Sequence, residues 1–249
     1  LVTEDRSRYY FEFEGVVYLI QPFDSYLDCN EFDTSNIPHI VDEEALSWYT
    51  DYKKNFGSFK YVKFSQFFEE TLCDNMRVLD LISADGNLID VLSNRAKNTG
   101  RNVTFYALDL DFYALKILKS KQPDVVCVCA DATKQAFGTS TFDLVFSNSL
   151  HHVPESTEAV FANVEEMLNS QGIFFGVESQ GFISRLVIAF LSVLPKSFVP
   201  NSLSEIYYER KLLRSWLSKP LVIRCKSIAG FCVVKRTLFH CFYQIQKKS

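Results

Sequence analysis

The chain has 249 residues, of which 47% are hydrophobic and 22% are charged, and this composition is typical of a globular protein with a substantial buried core. Its formal net charge of -4 at pH 7 excludes the broad basic field that phosphate-backbone binding requires, so we expect no nucleic-acid partner. Its seven cysteines include no C-x-x-C pair that would indicate a zinc ribbon or a redox couple, and we expect reduced thiols in a cytoplasmic protein.

The first 70 residues predict an N-terminal extension that serves as a lid or as part of a substrate-binding region. FEFEGVVYLIQPF, residues 11–23, has the apolar pattern of a strand or of a short strand pair. DEEALSWYTDYKKNF, residues 42–56, predicts a helix that begins with acidic residues. The chain begins with Leu1 rather than Met, which leaves open whether it is a piece of a longer, multidomain protein.

A regular alternation of short apolar strands and helical segments begins at Arg77. This pattern predicts βαβ units around a mostly parallel sheet. The strand segments are rich in Val, Phe and Leu, as expected of strands that are buried on both faces. They are RVLDL, VTFYALD, DVVCVCA, FDLVFSN and GIFFGVE, and the helical segments between them are NLIDVLSNRAKN, DFYALKILKSK and ESTEAVFANVEEMLNS.

The region from about residue 180 to 220 predicts an insertion that covers a substrate pocket. Its first part, residues 182–194, is an apolar helix candidate that is too short to cross a bilayer, which takes about 20 apolar residues. Its second part, residues 204–218, predicts another helix. Two further strands are predicted at residues 221–227 and 237–246.

The predicted architecture is an α/β fold with a seven-stranded, mostly parallel sheet flanked by helices. The domain is expected to span residues 71–249, with a cofactor-binding half at about residues 77–178. No transmembrane segment is expected. A homodimer and a place in a multidomain chain are both left open.

Four polar residues lie at the ends of successive strands of this predicted sheet or just past them. Ligands of open α/β sheets bind outside the carboxyl ends of the strands, so these side chains are expected to meet at one crevice. Any one of them alone is as well explained as a helix cap or a turn residue. The four together indicate a ligand site, and they are Asp80, Asp109, Asp131 and Asn148.

These segments resemble the class I, Rossmann-like S-adenosylmethionine-dependent methyltransferases, in particular the small-molecule group called type 11. VLDLISADGN resembles the first family motif, FYALDLD resembles the second-strand acid, and CADAT resembles the third motif. FDLVFSNSLHHVPE and VEEMLNSQGIFFGVE resemble the fourth and fifth motifs. The resemblance covers about two fifths of the chain, and its most specific part is the LHH segment with the helix and strand that follow.

The resemblance implies that S-adenosylmethionine is the cofactor, and it implies a role for each matching carboxylate. Asp80 would hold the amino group of the cofactor, directly or through water. Asp109 would accept both ribose hydroxyls with its two oxygens. Asp131, with the backbone of Ala132, would read the edge of the adenine.

The remaining matching positions would contact the adenine ring and the methionine part of the cofactor. Leu110 would pack on the adenine face. The backbone of residues 83–86, which includes Ser83, Ala84 and Gly86, would pass close to the methionine part. Asn148 and Ser149 would line the passage beside the methyl group.

The glycine-rich turn of the family is altered in this chain. The family places glycine at three alternate positions, which are occupied here by Ile82, Ala84 and Gly86. A β-branched residue at such a position would be strained, because glycine alone tolerates a positive φ without a steric cost. Either the backbone takes another path, with Ser83 and Ala84 supplying the small surface, or the cofactor site is damaged.

Two adjacent histidines follow the fourth predicted strand. His151 is a candidate general base, because imidazole accepts a proton near neutral pH. His152 is better explained as a residue of the loop or of the next helix cap. The pair lacks a carboxylate at ligand spacing, so no metal site is expected.

The sequence therefore predicts an enzyme that moves a methyl group from S-adenosylmethionine to oxygen, nitrogen or carbon of a small, partly apolar metabolite. The alternative is a methyltransferase-fold protein that no longer catalyses and acts as a binding or regulatory subunit, which Ile82 in the turn favours. An NAD-dependent oxidoreductase is disfavoured, because the G-x-G-x-x-G sequence that seats a pyrophosphate is absent.

Overall fold

A computed structural model describes residues 11–19, 58–153, 157–178, 182–191, 231–237 and 240–247 of the chain. The chain divides into two compact units, a first unit Leu1–Ala132 and a second unit Thr133–Ser249, which are described separately. The predicted helices at residues 42–56 and 204–218 and the predicted strand at residues 221–227 lie outside the described residues.

The first unit contains five described strands and three described helices. The strand order is β1-β2-β5-β4-β3, in which β1 and β2 form an antiparallel hairpin and the other neighbours are parallel. The elements are β1 (Phe11–Phe13), β2 (Val16–Tyr18), α1 (Ser58–Thr71), β3 (Met76–Leu81), α2 (Asn87–Thr99), β4 (Val103–Asp109), α3 (Phe112–Lys121) and β5 (Val126–Cys129).

The first hairpin forms at the apolar segment that predicted a strand pair. Glu14 and Gly15 connect its strands with φ values of 50° and 78°, and two residues with positive φ are the geometry of a tight hairpin turn. Strand β2 then runs parallel to β5, with Val16 opposite Cys127. Part of the predicted N-terminal extension is therefore a strand of the sheet, whereas its role as a lid stays a prediction.

Helices α2 and α3 begin and end at residues suited to helix termini. Helix α2 follows Gly86 and ends at Gly100, both with a left-handed backbone. Asp111 caps α3, where its carboxylate accepts the N–H groups of Tyr113 and Ala114. These caps fix where each helix starts relative to the strand that precedes it.

The register of the three central strands aligns their carboxyl ends. Leu81 at the end of β3 lies opposite Leu108, and Asp109 at the end of β4 lies opposite Cys129 at the end of β5. Because these strands are parallel, the residues that follow them emerge at one edge of the first unit.

The second unit contains four described strands in the order β6-β7-β9-β8. Strands β6 and β7 are parallel, and β9 pairs antiparallel with both β7 and β8. The elements are β6 (Phe142–Ser147), a 3-10 helix (Leu150–His152), α4 (Thr157–Met167), β7 (Leu168–Glu178), α5 (Phe182–Leu191), β8 (Phe231–Arg236) and β9 (Cys241–Gln246).

A cluster of aromatic rings fills the core of the second unit. Tyr243 of β9 packs edge-on against Phe174 of β7 and Phe161 of α4, with ring centroids 5.4 and 6.3 Å away. The Tyr243 ring also lies directly over Gly176, its partner in the β7–β9 register. Glycine at this position leaves the space that the ring occupies.

The α/β prediction is confirmed, and the predicted strand count is corrected. The described residues contain nine strands: six of the seven predicted strands, two in the N-terminal segment, and β8 at Phe231–Arg236, where no strand was predicted. Helix α4 ends at Met167, three residues before the predicted end, because strand β7 already begins at Leu168. Among the described helices, none has the length and apolar character needed to cross a bilayer.

Candidate functional site

Three of the predicted site carboxylates lie at the shared carboxyl edge of β3, β4 and β5. Asp80 is the penultimate residue of β3 and is buried. Asp109 ends β4, and Asp131 comes two residues after β5. The residue before Asp131 is tied to the end of β4, because the Ala130 N–H donates to the Asp109 carbonyl at 2.9 Å. The first unit thus brings these predicted residues to one edge.

The turn after β3 wraps its backbone N–H groups around the end of β4. The N–H groups of Ile82 and Ser83 donate to the Leu108 carbonyl at 2.8 and 3.1 Å. The next N–H, that of Ala84, donates to Oδ2 of Asp109 at 2.7 Å. Three successive N–H groups of the turn are therefore held by the last two residues of β4.

The backbone of this turn is left-handed at each of the three positions where the resembled family has glycine. The φ values are 63° at Ile82, 48° at Ala84 and 75° at Gly86. Of the two alternatives left open by the sequence, the one in which the backbone takes another path is contradicted by these φ values, and the other, a damaged cofactor site, stays a prediction. The chain keeps the glycine-type conformation and accepts strain at two residues that disfavour it.

Gly86 is required for packing as well as for its positive φ. A Cβ atom built at Gly86 would lie 2.3 Å from Cδ1 of Leu118 on α3. The remaining glycine of the turn thus lets the start of α2 approach α3 closely.

The Asp109 carboxylate is buried among donors and acids. It is 8% exposed, and its Oδ1 accepts the Asp111 N–H at 2.9 Å while Oδ2 accepts the Ala84 N–H. Burial raises the pKa of Asp109 to about 6, the backbone N–H groups of Asp111 and Ala84 partly offset this increase, and the nearby Asp111 carboxylate adds to it.

The raised pKa of Asp109 predicts a dependence of stability on pH. The folded state binds this proton more tightly than the unfolded state, whose pKa is near 3.8, so the stabilising contribution is present at low pH and is lost as the pH rises through about 6. We expect the wild type to lose about 1 kcal/mol relative to Asp109→Asn between about pH 5 and pH 7, measured by urea unfolding. Parallel stability curves for the two proteins would contradict this expectation.

The surroundings of Asp109 combine an exposed apolar side chain with buried polar groups. Leu110 is 41% exposed, although the residues around it are buried. The Ser83 hydroxyl is buried and has no hydrogen-bond partner among the described residues. Cys129 donates to the Leu110 carbonyl at 3.5 Å, and burial, with the charges of Asp109 and Asp111, raises the pKa of its thiol to about 12. The edge therefore offers an apolar contact and a hydroxyl, while the thiol stays neutral.

Two carboxylates that support this turn were not predicted as site residues. Asp85 is buried, forms an ion pair with Lys121 of α3 at 3.3 Å and accepts a hydrogen bond from the Asn87 side chain. Asp111 donates its backbone N–H to Asp109 and caps α3 with its carboxylate. The sequence signal for Asp111 is an acid directly before a helical segment, whereas the burial of Asp85 has no local signal.

The other two predicted positions, Asn148 and His151, belong to the second unit. Asn148 follows the last residue of β6, and its Oδ1 accepts the Ser149 hydroxyl at 2.6 Å. His151 lies in the 3-10 helix after that strand. The roles of both residues stay predictions.

A buried glutamate that was not predicted anchors this 3-10 helix. Glu178 ends β7, is fully buried, and accepts the Leu150 N–H at 2.8 Å. The signal in the sequence is a charged residue that ends an otherwise apolar strand, GIFFGVE. Glu178 thus fixes the start of the segment that carries His151.

Removing the acceptor at residue 178 is expected to destabilise the second unit. Glu178→Leu leaves the Leu150 N–H buried without this carboxylate, which we expect to lower the free energy of unfolding by about 1–3 kcal/mol. Glu178→Gln keeps an acceptor oxygen at the same place and is expected to lose less. Urea unfolding of the three proteins tests this, and a Leu variant as stable as the Gln variant would contradict it.

Among the residues that the structure describes, no group of three or more His, Cys, Asp or Glu residues could hold a metal ion.

Comparison with known proteins gives one family and many similar structures. Residues 78–172 match the family model of a methyltransferase domain. No curated protein sequence matches the chain. One similar structure is that of a Methanococcus maripaludis protein proposed to be an S-adenosyl-L-methionine-dependent methyltransferase, with 12% identity and a TM-score of 0.61. Another is that of the plantazolicin methyltransferase BpumL in complex with a substrate analog and SAH, with 10% identity and a TM-score of 0.62.

These structures share the fold of the chain over most of its length. Each covers 84% of this chain, and the chain covers 94% of the archaeal protein and 91% of BpumL. A third, the methyltransferase domain of the citrinin polyketide synthase, has 12% identity and a TM-score of 0.57, over 76% of this chain and 52% of that one. At these identities the likeness establishes the Rossmann-like fold, and the matched family covers β3 through part of β7.

Proposed function

We propose that the protein transfers a methyl group from S-adenosylmethionine to oxygen, nitrogen or carbon of a small, partly apolar molecule, since residues 78–172 match a methyltransferase domain. The observation that carries the proposal is the Asp109 carboxylate at the end of β4, flanked by the strand-end acids Asp80 and Asp131.

The residues at this edge fit an adenosine group. The two Asp109 oxygens accept the backbone N–H groups of Ala84 and Asp111, and in this proposal the same carboxylate also accepts the two ribose hydroxyls. Leu110 is exposed beside it and would pack on the adenine face, while Asp131 and the backbone of Ala132 would read the adenine edge.

The turn after β3 fits the methionine part of the cofactor better than it fits a pyrophosphate. Its N–H groups at residues 82–84 already donate to Leu108 and Asp109, so they are not available to a phosphate. Asp80 would hold the amino group, and the Ser83 hydroxyl, which has no partner in the described part of the chain, would donate or accept one hydrogen bond. These contacts argue against the NAD-dependent alternative.

When bound, the cofactor would supply a methyl group on a positively charged sulfonium sulfur. On transfer the bond between this sulfur and the methyl carbon breaks, and the sulfur is left in a neutral thioether. The protein then has to hold the acceptor atom in line with this methyl group and to exclude water. Asn148 would line the passage beside the methyl group, and His151 would accept a proton from an acceptor that arrives protonated.

An exposed apolar face on α5 supports a partly apolar acceptor. Phe182, Ile183, Leu186 and Phe190 are exposed, Leu186 by 72%, and their spacing places them on one side of the helix. Helix α5 directly follows β7 in the chain, at the start of the insertion predicted to cover the substrate. An acceptor with an apolar part would be stabilised by contact with such a surface.

Calorimetric titration with S-adenosylhomocysteine tests the proposal. Binding is expected, and the absence of binding at millimolar ligand would overturn the cofactor assignment. Incubation with labelled S-adenosylmethionine and a metabolite extract then tests transfer. Binding without any labelled product would favour the alternative, a catalytically inactive binding or regulatory subunit, which the strained Ile82 turn supports.

A further inference from the structure

We propose that Asp109 is also a positioning residue for the turn at residues 82–84, where its carboxylate holds a left-handed backbone that the side chains of Ile82 and Ala84 disfavour. The contribution of this contact to cofactor affinity rests on the proposed function, whereas the contact itself belongs to the protein without ligand.

The contacts of the turn divide into a backbone part and a side-chain part. Ile82 and Ser83 are held by the Leu108 carbonyl, which every residue type at position 108 would supply. Ala84 is held by the Asp109 carboxylate, at the short distance of 2.7 Å that is typical of a charge-assisted hydrogen bond. The side chain of residue 109 therefore decides whether the last N–H of the turn is fixed.

This contact has a specific task because the turn lacks two of the family's glycines. Glycine adopts a positive φ without cost, whereas a left-handed non-glycine residue stores strain and persists only where its surroundings enforce it. Ile82, with φ 63°, is a β-branched residue for which this conformation is especially unfavourable. The structure assigns this enforcing role to the hydrogen bond between the Ala84 N–H, two residues after Ile82, and the Asp109 carboxylate.

Several titratable groups lie near this carboxylate. Asp111 lies closest, since its N–H donates to Oδ1 of Asp109 and its own carboxylate caps α3. The Cys129 thiol faces both acids from β5. On the other side of the turn, Asp85 is paired with Lys121, which fixes the start of α2 independently of Asp109.

Protonation of Asp109 is expected to weaken its hold on the turn. A neutral carboxyl is a poorer acceptor for the Ala84 N–H than a carboxylate. Because burial raises the pKa of Asp109 to about 6, this change falls within an accessible pH range.

The first test uses the protein without ligand and observes alanine amides by NMR from about pH 5 to about pH 8. The Ala84 amide is expected to shift with a midpoint near 6 in the wild type and to lose this transition in Asp109→Asn. Ala84→Gly identifies the signal, and the Ala114 amide, which donates to Asp111, serves as a reference. An Ala84 amide that does not shift, or that shifts equally in Asp109→Asn, would overturn the proposal.

The second test restores glycine to the turn and measures binding of S-adenosylhomocysteine. In the Asp109→Asn background, Ile82→Gly with Ala84→Gly is expected to recover about tenfold in affinity, because the turn no longer needs to be held. In the wild-type background the same glycines are expected to raise affinity by a smaller factor, because Asp109 already holds the turn. Equal effects in both backgrounds would overturn the coupling.

A matched control separates this effect from a general effect of glycine. Ser140 is another non-glycine residue with a positive φ, 54°, and it lies in the second unit. Ser140→Gly is expected to leave the affinity unchanged in both backgrounds. If none of the proteins binds S-adenosylhomocysteine, the proposed function fails, and the Ala84 titration still decides whether Asp109 holds the turn.

Discussion

Asp109→Ala is expected to weaken S-adenosylhomocysteine binding by about a hundredfold or more. The substitution removes an acceptor for two ribose hydroxyls, and hydrogen bonds to a charged group contribute about 1.5–3 kcal/mol each. Together they amount to at least about 3 kcal/mol, and every 1.4 kcal/mol is about tenfold in affinity. Calorimetric titration at about pH 7.5, where Asp109 is ionised, measures the effect directly.

Asp124→Ala is the matched control for this experiment. Asp124 is an exposed aspartate just before β5, at the opposite end of that strand from the proposed site. The same chemical change there is expected to leave affinity within about twofold of the wild type. If Asp109→Ala binds as tightly as Asp124→Ala, the ribose is not held by Asp109.

Gly176→Ala is expected to destabilise the protein by about 3 kcal/mol. A Cβ atom at this position would lie 1.9 Å from Cζ of Tyr243 and 2.1 Å from its hydroxyl oxygen. The ring is buried and cannot keep its place across the β7 backbone, so its packing against Phe174 and Phe161 is also lost. Urea unfolding measures the free energy.

The cause of this effect can be isolated by removing the ring. In a Tyr243→Leu background, Gly176→Ala is expected to cost much less than in the wild type, because the clash is with the aromatic ring. Gly138→Ala is the control, since the nearest side-chain atom to its added Cβ is Thr141 Oγ1 at 3.6 Å. An unchanged cost of Gly176→Ala in the Tyr243→Leu background would show that another contact is responsible.

The central strands and helices could be predicted because local patterns and tertiary packing agree there. Strand β4 spans the predicted residues, Val103–Asp109, since a run of residues buried on both faces has clear ends. Helix α2 starts and ends at glycines that mark its termini, and α3 starts at a capping aspartate. Strand β8 was missed although it pairs with β9, the next strand in the chain, because strand preference depends on packing against neighbouring strands.

The candidate site was predictable in its positions but not in its internal contacts. Topology brings strand ends of a parallel sheet together, so Asp80, Asp109 and Asp131 could be located from strand order alone. The left-handed conformation at Ile82 contradicts local preference and is enforced by contacts 25 or more residues away, such as Ala84 with Asp109. The burial of Glu178 likewise depends on neighbours from other parts of the chain.

The N-terminal hairpin has a consequence for handling shortened forms of this protein. Strand β2 pairs with β5 along its outer side, and the Leu19 N–H adds a hydrogen bond to the Cys129 carbonyl at 2.9 Å. A chain that lacks residues 1–19 would present the bare hydrogen-bonding groups of β5 to solvent, where strands of other molecules can add to them. We therefore expect such a truncated chain to aggregate, and light scattering during concentration would reveal it.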